Sequence, residues 1–207
     1  MSEFTGYEVY YHPGFHGRSA AAQLLLIEAN EQYKMMPCTW SPERVVNPNP
    51  NYPVFAPPCI KKGDFVLSQT PAINSYLGKK HGFAPASMEE NATCDQLGLD
   101  ASDIVVESFA NKSAEKREAF LSEGGRLASW LGHFEKALGK QEGPFLFGET
   151  LTHADFTLWG TLSTVLFLFE DAAFPPAVKE FHSVIGARDS VVNLLAKGEP
   201  MLPDRFK

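Results

Sequence analysis

Near residue 82 the hydrophobic period of this chain changes, and that change limits its possible folds more than any other feature. Before it, short alternating runs are interleaved with helical ones. After it, residues 91–111, 113–138, 152–170, 176–185 and 190–197 all carry apolar side chains at 3.6-residue spacing, separated by short breakers. Residues 82–87 supply glycine and proline between the two patterns, so an α/β domain over 1–83 and an all-helical domain over 88–207 are expected. With 207 residues and 44% hydrophobic composition, the chain has enough apolar material for two cores.

Within the first half, residues 7–12 alternate and are rich in aromatic side chains, a strand pattern that stops at Pro13-Gly14. Residues 17–30 place Ala20, Ala21, Leu24, Leu25 and Ile27 at helical spacing. Residues 32–40 read as a strand, but Pro37 has no N–H to give to a ladder, so that strand belongs at a sheet edge. Five prolines and three asparagines fill residues 47–58, which excludes regular helix or central sheet there. Residues 60–62 and 65–68 form a hairpin signal about Lys62-Gly63-Asp64, and residues 69–81 return to helical spacing.

Charge and cysteine usage remove several functions. The formal net charge is −7 without a basic tract, which argues against nucleic acid and against anionic membrane as partners. No run of apolar residues is long enough to span a bilayer and no leader pattern opens the chain, so a cytoplasmic location is expected. Three cysteines (Cys38, Cys59, Cys94) and six scattered histidines fit neither a disulfide framework nor a metal site, and no metal is expected.

The most informative stretch is Pro58-Cys59-Ile60-Lys61-Lys62-Gly63-Asp64-Phe65-Val66-Leu67-Ser68-Gln69-Thr70-Pro71-Ala72-Ile73. It closely resembles the glutathione transferase pattern, in which a cis-proline opens a strand, a hairpin follows, and a Gln/Glu-Ser/Thr pair begins the next helix. The resemblance implies a thioredoxin-like α/β domain followed by an all-α domain. It also implies that Gln69 and Thr70 grip the γ-glutamyl end of glutathione. The physics agrees, because a helix start carries unpaired N–H groups and positive partial charge suited to a carboxylate. The simpler alternative is that Thr70 only caps its helix, with Pro71 at the first helical position.

Tyr7-Glu8-Val9-Tyr10-Tyr11-His12-Pro13, followed by Gly17-Arg18-Ser19-Ala20-Ala21, is similar to the pi- and mu-class opening. The match assigns to Tyr11 the tyrosine facing the glutathione sulfur, and to Arg18 the helix-start arginine, with one extra residue near Gly14. Tyr11 could instead be a core aromatic, since Tyr7 and Val9 share its pleat face. Tyr10 and Ser19 are the rival contacts to the sulfur, and Cys59 reads as structural. Trp40 falls where pi-class enzymes hold the glycine end of glutathione, Arg44 is placed to pair with its carboxylate, and Asp103 matches weakly the acid that meets the α-amino group across a dimer interface. Thr152-His153-Ala154-Asp155 resembles the capping box that opens the family's buried core helix.

The chain departs from the pattern at Pro57. The residue before the cis-proline normally offers both N–H and C=O to glutathione's cysteinyl unit, and a proline there has no N–H. Spacing to Gln69 favours Pro58 as the cis residue; the alternative is Pro57, with Ala56 supplying the contact. The implied function is a glutathione transferase joining the glutathione thiolate to small apolar electrophiles, with glutathione as co-substrate and a homodimer as the assembly. Phe15, Val105, Val106 and Phe109 are candidate walls of the electrophile pocket, and Tyr52 or Phe55 a candidate key into the partner. Two alternatives stand beside this: a glutathione-dependent isomerase of the sigma-class prostaglandin synthase kind, and a non-catalytic binding module.

Overall fold

The computed structural model describes residues 4–38 and 54–207. Four strands, β1 (Tyr7–Tyr11), β2 (Tyr33–Pro37), β3 (Cys59–Lys62) and β4 (Phe65–Ser68), form a mixed sheet in the order β2-β1-β3-β4. The first strand is therefore central, parallel to β2 and antiparallel to β3. Tyr7 and Val9 are fully buried on one pleat face, as alternation requires of an inner strand. Pro37 sits opposite Tyr11 on the outer strand, where its missing N–H interrupts no second ladder.

A 3-10 turn (Gly17–Ser19) leads into α1 (Ala20–Glu28), which carries the chain from β1 to the parallel β2. Every residue from Ala20 to Leu26 is buried, because α1 is enclosed by α2 (Thr70–His81), α6 (His153–Leu168) and α8 (Asp189–Leu195). Glu28 at the end of α1 accepts from Arg188 Nε (2.7 Å), Arg188 Nη2 (2.9 Å) and Ser190 Oγ (2.6 Å), which fastens α1 to the start of α8. Such a planar two-point fork is the strong form of a charged hydrogen bond.

The remaining helices are α3 (Met88–Ala110), α4 (Ala114–Leu121), α5 (Arg126–Leu138) and α7 (Pro176–Gly186). α3 starts earlier than its apolar period suggests, because the Ser87 hydroxyl caps it, accepting from Glu90 N–H at 3.1 Å and donating to the Glu90 carboxylate at 2.9 Å. The stretch 113–138 is two helices rather than one. The chain turns tightly after Leu121, and a Cβ at Gly125 would press on the carbonyl oxygens of Phe120 (2.8 Å) and Ser122 (2.9 Å).

α6 is apolar all round and packs on α1, α2, α3 and α7, so it forms the centre of the helical half. Its start is the expected box. Asp155 accepts from Thr152 N–H (2.7 Å), Thr152 O–H (2.7 Å) and Leu146 N–H (2.8 Å), in full burial.

Candidate active site

Tyr11 ends the central strand and is 6% exposed. Its ring lies edge-on to Phe15 at 5.4 Å, and its hydroxyl accepts the backbone N–H of Arg18 at 2.9 Å. Because that oxygen is an acceptor in this bond, the phenolic proton remains available for a further partner. Burial raises the Tyr11 pKa, against a smaller lowering by the Arg18 N–H, so the group keeps its proton at neutral pH. A short O–H donor aimed at a forming anion is what thiolate stabilisation needs. Gly17 makes the approach possible: it has φ +44°, and a Cβ there would collide with the Tyr11 hydroxyl.

The second part of the site is the start of α2. Gln69 occupies the cap position with φ 74° and ψ 117°, a backbone region rarely adopted by a side-chain-bearing residue and costing about 1–3 kcal/mol. No side chain caps this helix end, so its first-turn N–H groups are open to an external acceptor. Thr70 is the first helical residue and is 8% exposed, with Pro71 second rather than first. Thr70 Oγ1 donates to the carbonyl of Arg18 at 3.4 Å. One residue's backbone therefore ties the two parts together, since Arg18 gives its N–H to Tyr11 and receives the Thr70 hydroxyl on its C=O.

The other candidates fall out plainly. Ser19 is fully buried, donates to His16 O at 2.6 Å and accepts from Gln23 Nε2 at 2.9 Å, so it packs the helix start instead of facing a ligand. Tyr10 points to the opposite face, donates to Glu8 at 2.7 Å and packs with Cys38, Val54 and Cys59. Burial pushes the Cys59 thiol up to about 12, which makes it inert at neutral pH. The Pro57–Pro58 peptide bond is cis, so the register with Pro58 as the cis residue holds. Arg18 and Gln69 have exposed side chains beside the site. Asp103 is exposed on α3 and lies in the field of Arg126. Trp40, Arg44 and Tyr52 lie outside the described residues. Among the described residues no group of histidine, cysteine and acidic side chains is arranged to hold a metal.

Against Tyr11, an aromatic cluster gathers Phe15, Phe109, Phe167 and Phe206 around Leu202. Of the candidate pocket walls, Phe15 and Phe109 pack in this cluster, whereas Val106 is 56% exposed. The tail from Pro200 onward was not anticipated as part of this region. It is pinned by His16 N–H to Pro200 O (3.0 Å) and Gly17 N–H to Met201 O (2.7 Å), which lays Leu202 and Phe206 over Phe15. Its only sequence signal is Met201-Leu202 between two prolines, an apolar pair in an irregular segment.

A mixed four-stranded sheet with a cis-proline before β3, joined to a helical half built around α6, defines the class: a thioredoxin-like domain with the all-helical companion of the glutathione transferase fold. Comparison with known proteins agrees. Residues 100–198 match the family described as Glutathione S-transferase, C-terminal domain. The class-mu 26 kDa glutathione S-transferase of Schistosoma mansoni is 32% identical over 123 residues, covering 58% of this chain and 52% of that protein. Glutathione S-transferase P 1 of Xenopus laevis is 29% identical over 168 residues, covering 74% of each chain. The chain spans about half the length of most curated relatives it matches. The structure of the pi-class glutathione S-transferase of Onchocerca volvulus superposes with TM-score 0.76 at 18% identity, over 96% of this chain and 98% of that one. Residues 100–198 thus carry the C-terminal domain of the glutathione transferase family, and the chain as a whole is similar to glutathione transferases and has their fold.

Proposed function

We propose that this protein is a glutathione transferase in which Tyr11 stabilises the glutathione thiolate for attack on a small apolar electrophile. The observation that carries the reading is the Arg18 backbone, which holds a proton-bearing Tyr11 hydroxyl and the open end of α2 in one frame. In this reading the γ-glutamyl carboxylate meets the Thr70 N–H and Gln69, and the cysteinyl unit meets the Pro57 carbonyl. Arg18 and Asp103 flank the γ-glutamyl end, and Trp40 and Arg44 take the glycine end. A free thiol has a pKa near 8.5, so lowering it about two units needs ~2.7 kcal/mol of preference for the anion. One hydrogen bond to a charged sulfur contributes about 1.5–3 kcal/mol, enough for Tyr11 to supply most of it. The sulfur then attacks the electrophile, held against Phe15, Phe109 and the tail, and the leaving group departs as an anion.

The isomerase and binding-module alternatives gain nothing from the relatives, which are named as transferases. The division into domains 1–83 and 88–207, a cytoplasmic location, a detoxifying role and a homodimer belong to the same proposal. Among the described residues no helix is long and apolar enough to cross a membrane. Exposed apolar side chains at Phe55, Met88 and Leu99 support a partner surface. The test is conjugation of glutathione to an activated aryl halide. Tyr11→Phe should lower kcat by about 10–150-fold, the value of one charge-assisted bond, while retention on immobilised glutathione persists. Unchanged turnover in Tyr11→Phe would remove the reading.

A further inference from the structure

Where the end of α4, the length of α5 and the segment entering α7 meet, the surface opens into a groove of about 490 Å³, within the range of small-molecule sites. Leu121, Leu127, Leu131 and Phe174 supply its apolar lining, and Glu123 and Glu135 its charge. No lysine, arginine or histidine lines it, and it shares no residue with the cavity that Arg18 and Thr70 border. Neither carboxylate has an ion-pair or hydrogen-bond partner among the described residues, while Arg126 at the start of α5 is engaged in a fork on Glu107 and Arg117 of α4 on Asp171.

Gly132 adds an independent observation. It sits inside α5, where glycine is the least favourable residue after proline, and a Cβ there would touch nothing within 4 Å. No close backbone approach demands a glycine at this position. What its missing side chain preserves is the open width of the groove.

We propose that this groove binds a small lipophilic cation, its apolar body on the leucines and Phe174 and its ammonium head at Glu135, with Glu123 at the other end of the groove adding to the negative field. An anion would meet two like charges, and a neutral apolar ligand would cover the half-buried Glu135 carboxylate with nothing in return. The cation satisfies both halves of the surface, so charge complementarity selects it.

The probe is 4-phenylbutylammonium, compared by calorimetry with 4-phenylbutan-1-ol and 4-phenylbutanoate, on the whole chain with and without saturating glutathione. The cation should bind at one per chain about tenfold more tightly than the alcohol, less so in high salt, and the carboxylate should not bind. The double variant Glu123→Gln/Glu135→Gln should bring the cation down to the alcohol's affinity. Gly132→Leu should weaken cation and alcohol together, with an unaltered melting curve certifying the fold. Should that variant fail to fold, the glutamine pair decides. Equal affinities for cation and alcohol, indifference to the glutamine pair, or displacement by glutathione would overturn the proposal. A change of oligomeric state in Gly132→Leu without cation binding would overturn it too, and assign the groove to a second copy of the chain.

Discussion

Mild acid tests the packing at the start of α6 more sharply than any deletion of a contact. His153 is 2% exposed there, with Nε2 at 3.3 Å from Cys94 Sγ, and burial pushes its pKa down to about 4 from 6.5. Between those values the unfolded chain binds a proton that the folded chain refuses, so this group's stabilisation is complete above pH 6.5 and is lost as pH falls towards 4. At ~1.4 kcal/mol per tenfold change in proton affinity, the loss amounts to about 3 kcal/mol. Two residues on, fully buried Asp155 behaves in the opposite sense. Its pKa is pushed up to about 6 by burial, against three donors, so its contribution grows as pH falls from 6 to its ordinary 3.8, again by about 3 kcal/mol. The two effects nearly cancel in the native protein, and the histidine is visible only by difference. Urea unfolding of the native chain and of His153→Gln at pH 7 and pH 4.5, at fixed protein concentration, isolates it. The stability difference between the two should shrink by about 2–3 kcal/mol on acidification, since the other titrations are common to both apart from that of Asp95, whose carboxylate lies 3.4 Å from the imidazole. An imidazole titrating near 6.5 in the NMR spectrum, or parallel pH profiles for the two proteins, would refute the reasoning.

Three further outcomes follow from the site and the fold. Pro57→Ala restores an N–H beside the proposed cysteinyl unit and should tighten glutathione binding about 2–12-fold by calorimetry, the value of one neutral hydrogen bond; weaker binding would count against that placement. Gly17→Ala should lower turnover at least as much as Tyr11→Phe, because the new methyl group displaces the phenol, while glutathione retention falls little. Thr152→Ala should cost about 1–2 kcal/mol in denaturation, since Asp155 loses the hydroxyl it holds at 2.7 Å; an unchanged midpoint contradicts this.

Much of the candidate site was legible along the chain because its parts are local. Gln69 and Thr70 are neighbours at a helix start that Pro71 and the preceding hairpin announce, and the capping box of α6 lies within four residues. The missing N–H of Pro57 is a covalent fact. Periodicity failed where a turn is made by backbone crowding: the break between α4 and α5 depends on Gly125 passing close to carbonyls of the preceding turn, and apolar spacing continues across it. It also failed for Val106, whose place in the sequence next to Val105 says nothing about which of the two faces inward.

The amino-acid order alone determined that β1 would carry an aromatic face, that a helix would open at the Gln69-Thr70 pair, and that the second half would be helical. These follow from local periods and from groups each residue has or lacks. Only the tertiary structure decided that Tyr11, and neither Tyr10 nor Ser19, is the hydroxyl with a proton to give, because that depends on which bonds surrounding atoms have already taken up. It likewise decided that Arg18 joins Tyr11 to Thr70 through its backbone, and that the tail closes over Phe15. Contacts between residues 52 or 184 positions apart arise from tertiary packing, and no local pattern encodes such distances.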